Sequence, residues 1–294
     1  MTESQLFSQF LSGVSRGMIL FFISSGLTLI FGVMNILNFA HASFWLVGAY
    51  FTWTFWKILY SPIFGLWISI PLAALTMAGI GWILEVVLIR RVYNRTLSEQ
   101  LLLTYALVLI IGDVIKLTWG VEDRIVARPQ GMEGFIDILG APFPTYYIFV
   151  ITLGGFVAWG LWWLLQKTKF GRTVRASVFS REMVGALGIP VHRIYTGVFA
   201  LSLFIAGLAG GVQAPISSIT LGMDMSIIVE CFAVVVIGGF GSLPGALVGS
   251  LIVGLVYSFA ILVVPKMALV LIFVVTAIVL IVRPWGLFGT PMRA

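Results

Sequence analysis

The chain has 294 residues, of which 60% are apolar and only 10% are charged, and its net charge is +6. A soluble domain is about 45–50% apolar and about 25% charged, so a water-soluble fold of this length could not bury so much apolar surface. The composition excludes a soluble enzyme, a nucleic-acid-binding protein and a disordered chain. Several apolar runs reach the roughly 20 residues that a bilayer crossing requires. We therefore predict an all-α, polytopic transmembrane bundle.

The apolar runs predict nine membrane-spanning helices and no second, soluble domain, so that one transmembrane domain covers residues 1–294. One run is short and a glycine-rich stretch interrupts it, so the prediction is eight to ten spans with interrupted helices. The nine runs lie near residues 11–34, 41–60, 64–89, 100–119, 145–166, 194–213, 226–240, 245–264 and 267–283.

A first break in the apolar pattern lies between the first two runs, at residues 35–43. Polar groups inside a membrane are costly and usually face a cavity or a partner helix. We interpret the polar residues at this break, with others near it and near the end of the sixth run, as a candidate substrate pathway. A purely structural hydrogen-bonding role remains open for His41. The pathway residues are Ser24, Thr28, Asn35, Asn38, His41, Ser43, Gln213, Ser217 and Ser218.

A second break is rich in glycine and follows the seventh run. Paired interrupted segments in the two halves of a transporter point to its pathway. Close packing of helices through small residues is an equally good interpretation of any one of these glycines. The candidate gating residues of this break are Gly238, Gly239, Gly241, Pro244 and Gly245.

The charges are distributed unevenly between the loops. Residues 167–193 contain six basic residues and one acidic residue, whereas residues 120–144 contain two basic and four acidic residues. Because an excess of lysine and arginine marks cytoplasmic loops, the first loop is predicted to lie inside and the second outside. Near span ends, Glu85 is expected to pair with Arg90 or Arg91. Asp113 and Lys116, three residues apart, are expected to pair on one helix.

The basic loop also contains a short predicted helix that starts at Arg181 and ends before Gly188 and Pro190, which form a helix stop signal. Such a helix between two spans could dock into a groove on a soluble partner. The alternative is a basic juxtamembrane loop that binds anionic lipid.

No catalytic or metal-binding motif is recognisable. The two histidines are far apart, there is one cysteine, and the glycine-rich second break has no lysine to reach a phosphate. We therefore predict no catalytic residues, no metal site and no cofactor bound by this chain. If ATP is used, another chain must bind it.

Three segments resemble one family of membrane proteins. Glu182 and Gly188 have the spacing found in the coupling segment of bacterial ABC importers, although Met183 and Val184 stand where that segment usually has alanines. The stretch FGRTVRA followed by ALGIP resembles the branched-chain amino-acid permease family, in particular its LivH-type members. The segments NILNFAHASFWLVGAY and VVIGGFGSLPGALVGSLIVGL resemble the same family, in the same order along the chain.

The resemblance implies a permease subunit of the bacterial inner membrane. Its partners would be a LivM-type second permease subunit, two cytoplasmic subunits that hold ATP and magnesium, a periplasmic solute-binding protein and the lipid bilayer. Branched-chain amino acids are the expected substrates, and urea, amides or aromatic acids remain open. A stand-alone channel or secondary transporter is the alternative from another class. The coupling segment, 167–193, would engage the ATP-binding subunits through Arg172, Arg175, Glu182, Ala186, Leu187 and Gly188.

Overall fold

The structure is a computed structural model that describes residues 3–61, 64–138 and 140–289. Within these ranges the chain is nearly all helical, and the exception is one antiparallel hairpin, in which Phe135 pairs with Pro144. The helices are α1 Glu3–Met34, α2 His41–Leu59, α3 Gly65–Val87, α4 Leu97–Trp119, α5 Thr145–Lys167, α6 Lys169–Phe179, α7 Arg181–Ala186, α8 Val191–Gln213, α9 Met223–Gly238, α10 Leu243–Val263 and α11 Ala268–Val282, and the strands are β1 Phe135–Ile138 and β2 Ala141–Pro144.

By length and composition, seven helices of the described part are able to cross a membrane: α1, α3, α4, α5, α8, α10, and α11 together with the turn before it. This is fewer than the predicted eight to ten spans. The difference lies in α2, which is long enough but less apolar, and in α9, which has only 16 residues. Both helices pack within the bundle, α2 against α3 and α8, and α9 against α1 and α10. α9 is apolar and falls short only in length, whereas α2 carries polar residues that are enclosed by protein, namely His41, Ser43 and Thr52.

The centre of the bundle is formed by α1 and α8, most of whose residues are buried. By contrast, α4, α5 and α11 bury only a small part of their length and expose large apolar side chains. A helix that is apolar all round is expected in a protein core or in a membrane. In this protein α1 and α8 lie inside the bundle, whereas α4, α5 and α11 lie on its outside, where an apolar surface is suited to lipid.

Glycine permits a close backbone contact between α1 and α10. A Cβ atom placed on Gly254 would lie 2.4 Å from the carbonyl oxygen of Gly13 and 2.5 Å from the amide nitrogen of Gly17. No side chain fits at this point. In lipid, where apolar burial drives helix association only weakly, such small residues allow backbones to approach and pack.

A buried ion pair holds the end of α3 against α8. The Glu85 carboxylate is fully buried and accepts hydrogen bonds from Arg90 Nη2 at 2.9 Å, from Thr196 at 2.6 Å and from the Tyr93 hydroxyl. Burial, together with the bond to this carboxylate, raises the pKa of the Tyr93 hydroxyl well above its usual value. The predicted pairing of Glu85 with Arg90 is confirmed.

A second predicted ion pair is also present. Lys116 Nζ lies 2.9 Å from Asp113 Oδ1 on the exposed side of α4, so this predicted pairing is confirmed.

A backbone bridge joins the loop after α4 to the segment after α8. Arg124 exchanges two backbone hydrogen bonds with Ile219, of 3.0 and 2.8 Å. This bridge holds the acidic loop 120–144 and the segment that follows α8 at the same end of the bundle.

Candidate functional site

The first predicted break is present as irregular backbone between α1 and α2. The helix ends at Met34, and Asn35 adopts a left-handed conformation with φ 55°. The Asn38 side-chain oxygen then accepts a hydrogen bond of 3.1 Å from the Ala40 amide, which shapes the turn into α2. Asparagine is one of the few non-glycine residues that tolerate φ above zero, which accounts for its place here.

Three of the four predicted polar residues of this break point into the protein. Asn38, His41 and Ser43 are buried, whereas Asn35 is exposed, contrary to the expectation that it lines an interior pathway. His41 Nε2 lies 3.0 Å from the carbonyl oxygen of Ile23 on α1. Ser43 donates a hydrogen bond to the carboxylate of Asp224 on α9.

Unpaired polar atoms are concentrated in the centre of the bundle. A buried polar group without a partner costs about 1–3 kcal/mol, so several together indicate a site rather than ordinary packing. They lie on α1, on the first break and on α2. Within the described residues, the buried side-chain atoms of this region without a protein partner are Thr28 Oγ1, Asn38 Nδ2, His41 Nδ1, Trp45 Nε1 and the Tyr50 hydroxyl.

The three predicted pathway residues at and after the end of α8 are less buried than those of the first break. Gln213 is half-buried and donates a hydrogen bond of 2.9 Å to the Ser217 hydroxyl, which is exposed. Ser218 is half-buried. Gln213 also lines a cavity of about 290 Å³, together with Arg16 of α1. Arg16 was not among the predicted site residues, although a charged side chain inside a predicted span is a signal that could have identified it.

The second break lies against the first. Gly239 and Gly241 have φ values of 96° and 76°, which glycine adopts without strain. The Ser242 side chain then accepts a hydrogen bond of 3.1 Å from the Gly245 amide and begins α10, with Pro244 in its first turn. A Cβ on Gly32, near the end of α1, would lie 2.7 Å from the Cα atom of Gly241.

At the second break, the end of α9 also lies in close backbone contact with the start of α10. A Cβ on Gly238 would lie 2.3 Å from the carbonyl carbon of Gly245, so the end of α9 and the start of α10 touch directly. The Leu287 and Phe288 amides donate hydrogen bonds of 2.8 and 3.0 Å to the carbonyls of Ile237 and Gly238. The segment after α11 is therefore tied to this break.

The basic loop folds into the two short helices α6 and α7. Ser180 begins α7 by accepting a hydrogen bond of 3.2 Å from the Met183 amide. At the other end, Gly188 has φ 76°, the Ile189 amide bonds to the Val184 carbonyl, and the Gly188 amide bonds to the Gly185 carbonyl. These two bonds form a Schellman motif, which ends the helix as the glycine–proline stop signal predicts.

This loop presents apolar side chains to the exterior. Phe179 is 91% exposed, Leu187 73% and Met183 64%, and of α7 only Val184 is buried. The predicted coupling residues Glu182 and Ala186 are exposed as well. Phe179 and Met183 were not predicted, although the spacing of four residues between Met183 and Leu187 could have indicated a shared surface. Phe179 ends α6, and the extended Ser180 separates it from α7, so no helical spacing pointed to it.

Arginines in this loop make different contacts. Arg172 is exposed, whereas Arg175 donates a hydrogen bond to the Leu165 carbonyl at the end of α5. Arg181 Nη2 donates a hydrogen bond of 3.1 Å to the carbonyl of Met34, the last residue of α1. The guanidinium of Arg181 also lies 5.4 Å from the centre of the Tyr195 ring. Arg181 thus joins α7 directly to the first break.

Fold and site together define a multi-pass helical membrane protein with two adjoining helix breaks and a buried polar centre. The chain belongs to the family described as the permease component of the branched-chain amino acid transport system, whose sequence profile matches residues 9–280. The resemblance inferred from its three segments is confirmed at the level of the family.

Curated relatives match nearly the whole chain at modest identity. The high-affinity branched-chain amino acid transport system permease protein LivH of Escherichia coli (strain K12) is 27% identical, and the match covers 99% of this chain and 98% of that protein. The probable branched-chain amino acid transport permease protein LivH of Methanocaldococcus jannaschii is 28% identical, with 94% and 90% covered. The permease protein BraD of Pseudomonas aeruginosa is 24% identical, with 96% and 95% covered. No solved structure matches the chain.

Proposed function

We propose that this chain is one permease subunit of an ABC importer that moves branched-chain amino acids across the bacterial inner membrane. A related LivM-type permease subunit would complete the pathway, two cytoplasmic subunits would hydrolyse ATP, and a periplasmic binding protein would deliver the substrate. Family membership supports the transport role, and the printed names of the relatives support the substrate class.

The protruding surface of the basic loop is the observation that carries this proposal. Phe179, at the end of α6, and Met183 and Leu187, at α7, are all more than half exposed. The ends of α7 are fixed by a serine cap and a Schellman motif. Exposed apolar patches mark interaction sites in proteins. A rigid helix that presents such side chains suits a groove on a soluble subunit better than a flexible lipid-binding loop.

Contacts of this loop suggest how motion would reach the pathway. Arg181 bonds to the last carbonyl of α1, and Gly32 of α1 packs against Gly241 of the second break. A displacement of α7 by the ATP-binding subunits would therefore act on both breaks. Coupling of this kind requires that the docked partner interact differently with the two states of the permease.

The polar centre is the part of the pathway that this chain would supply. Ser24 and Thr28 lie one helical turn apart on α1 and are buried, as are Asn38 and His41 of the first break. The unpaired atoms of Thr28, Asn38 and His41 could exchange hydrogen bonds with a passing solute. His41 also keeps its bond to the Ile23 carbonyl, which supports the structural role left open by the sequence.

The proposal is tested by uptake into proteoliposomes that contain this chain with its partner subunits, ATP on the cytoplasmic side and the binding protein on the other. We expect ATP-dependent uptake of leucine, isoleucine and valine, and little uptake of urea or benzoate. Uptake by this chain alone, without ATP or partners, would instead establish a channel or secondary transporter. Preferential uptake of urea or benzoate would overturn the substrate assignment.

Coupling through the basic loop is tested by Gly188→Val. A β-branched residue is strained at φ 76°, so the end of α7 should shift and the complex should lose most substrate-stimulated ATP hydrolysis and uptake. The matched control is Gly131→Val, because Gly131 has φ 87° in the opposite, acidic loop and should be neutral for coupling. Full stimulation of an assembled Gly188→Val complex would show that this segment does not couple.

A further inference from the structure

The cavity of about 290 Å³ lies between the outward ends of five helices. Its lining comes from α1, α5, the end of α8, α9 and α10. By the predicted topology, all of these helix ends face the exterior. Small-molecule sites usually enclose about 300–1,000 Å³, so this cavity has room for one small solute.

An intramembrane ion pair forms one wall of the cavity. Arg16 Nη2 lies 2.8 Å from each oxygen of Glu230 on α9, and the Glu230 side chain is 5% exposed. The Arg16 guanidinium is also held 3.5 Å from the ring centre of Tyr257 on α10. Ionisable groups at such depth are rare, costly and usually functional. A single nitrogen makes both bonds, which leaves the remainder of the guanidinium fork for another acceptor.

Two buried polar atoms at this wall have no partner within the described residues. They are Arg16 Nε and the hydroxyl of Ser15, a residue that is 2% exposed and lines the cavity. Both are donors, and they belong to adjacent residues of α1. A guanidinium edge with a neighbouring hydroxyl is the arrangement that binds a carboxylate through two or more hydrogen bonds.

The remaining lining is largely aliphatic, with a few polar groups. Ile19 and Leu20 come from α1, Ile227 from α9, Ile261 from α10 and Ile216 from the segment after α8. Amide and hydroxyl groups of Gln9, Ser12 and Gln213 provide acceptors. A ligand that fits therefore has a carboxylate, a compact aliphatic side chain and a hydrogen-bond donor between them.

We propose that this cavity is a binding site for a free aliphatic α-amino acid, with its carboxylate on the accessible part of the Arg16 guanidinium and on the Ser15 hydroxyl, which turns into the cavity when the ligand binds. The inference rests on the proposed function and adds to it a site on the outward side, where the substrate would stay after leaving the binding protein and before it reaches the polar centre. Glu230 fixes the Arg16 guanidinium in place, so it is a positioning residue.

The test measures binding of radiolabelled leucine to the assembled complex without the binding protein. We expect saturable binding at millimolar or lower leucine, competition by valine, and no competition by leucinamide, which lacks the carboxylate. Ser15→Ala should weaken binding by about three- to tenfold, the usual effect of one lost hydrogen bond. It should not destabilise the complex, because it removes a hydroxyl that has no protein partner. Ser202→Ala is the matched control, since Ser202 is equally buried but bonds only to a carbonyl of its own helix.

A second variant separates ligand binding from folding. The double replacement Arg16→Met and Glu230→Met removes the ion pair without leaving one charge buried, which is often neutral for stability. It should abolish leucine binding and raise the leucine concentration needed for uptake. Wild-type complex that imports leucine yet binds none in this assay, or Ser15→Ala that binds as wild type does, would overturn the site but not the proposed function. If the wild-type complex imports no amino acid at all, the proposed function itself fails.

Discussion

At the scale of single residues, the side chains with the clearest roles are charged groups that reach buried partners. Arg181, Glu85 and Arg16 each contact a group on another helix, whereas Lys116 and Asp113 pair on one exposed helix face. An ion pair in water contributes little, but one with a buried member is costly to break. The effect of a substitution should therefore follow burial rather than charge.

Glu85→Ala should destabilise the complex. It removes the acceptor shared by Arg90, Tyr93 and Thr196. Thr196 keeps its bond to the His192 carbonyl, but the half-buried Tyr93 hydroxyl loses its partner, at a cost of about 1–3 kcal/mol. The measurement is thermal unfolding of the purified complex. Asp113→Ala, which breaks only an exposed pair, is the control and should leave the unfolding temperature nearly unchanged. Equal effects of the two variants would contradict the assigned role of Glu85.

Arg181→Ala should uncouple hydrolysis from transport. The variant loses the bond to the Met34 carbonyl, so motion of α7 no longer acts directly on the end of α1. We expect ATP hydrolysis by the assembled complex to persist while uptake falls several-fold. Arg193→Ala is the control, because Arg193 is an exposed arginine of the same basic loop. Normal uptake per ATP hydrolysed in Arg181→Ala would show that this contact transmits nothing.

At the scale of helices, backbone contact through glycine decides how the bundle packs. The pair α1 and α10 meets at Gly13, Gly17 and Gly254, and α2 meets α8 where Gly48 faces Gly207. The two breaks also meet through glycine, at Gly32 and Gly241. The distances between these helices are therefore set by a few glycines that have no side chain. A Cβ atom added at any of them would push one helix away from the other.

Gly254→Val should impair folding or assembly. Its side chain would collide with the backbone of α1, which has no flexible group to give way. The yield of folded protein and its unfolding temperature in detergent measure the effect. Gly160→Val is the matched control, since a Cβ at Gly160 of α5 meets nothing within 4 Å. Similar yields for both variants would show that the α1–α10 contact is looser than the structure indicates.

At the scale of the whole molecule, the opposite charges of the two large loops predict its orientation. The basic segment 167–193 should be cytoplasmic and the acidic loop 120–144 should face the exterior. All five helix ends around the amino-acid cavity then lie on the outer side, and the surface formed by Phe179, Met183 and Leu187 lies on the inner side. The proposed docking surface and the cavity would then lie at opposite ends of the bundle. An importer requires this arrangement, because it takes up its substrate outside and is driven by ATP hydrolysed inside.

Cysteine labelling tests this orientation. The native cysteine, Cys231, is buried and is first replaced by alanine. Glu122→Cys should then react with an impermeant maleimide in intact cells, because Glu122 is exposed in the acidic loop. Ser180→Cys, equally exposed, should react only after the inner membrane is permeabilised. Labelling of position 180 from outside would reverse the orientation and with it the proposed direction of transport.

The sequence by itself determined the class of protein, the family, both helix breaks and the end of α7. These features depend on local chemistry: apolar runs, glycine and proline at helix ends, and a basic loop. Local spacing also predicted the pairs Glu85–Arg90 and Asp113–Lys116, which are five and three residues apart.

Only the tertiary structure decided which helices are enclosed and which distant polar residues meet. Arg16 and Glu230 are 214 residues apart, and Ser43 and Asp224 are 181 apart, so no local pattern joins them. The burial of α1 and α8 could not be predicted either, because an apolar surface is suited equally to lipid and to protein. For the same reason Asn35 and Asn38 looked alike in the sequence, although one is exposed and the other is buried.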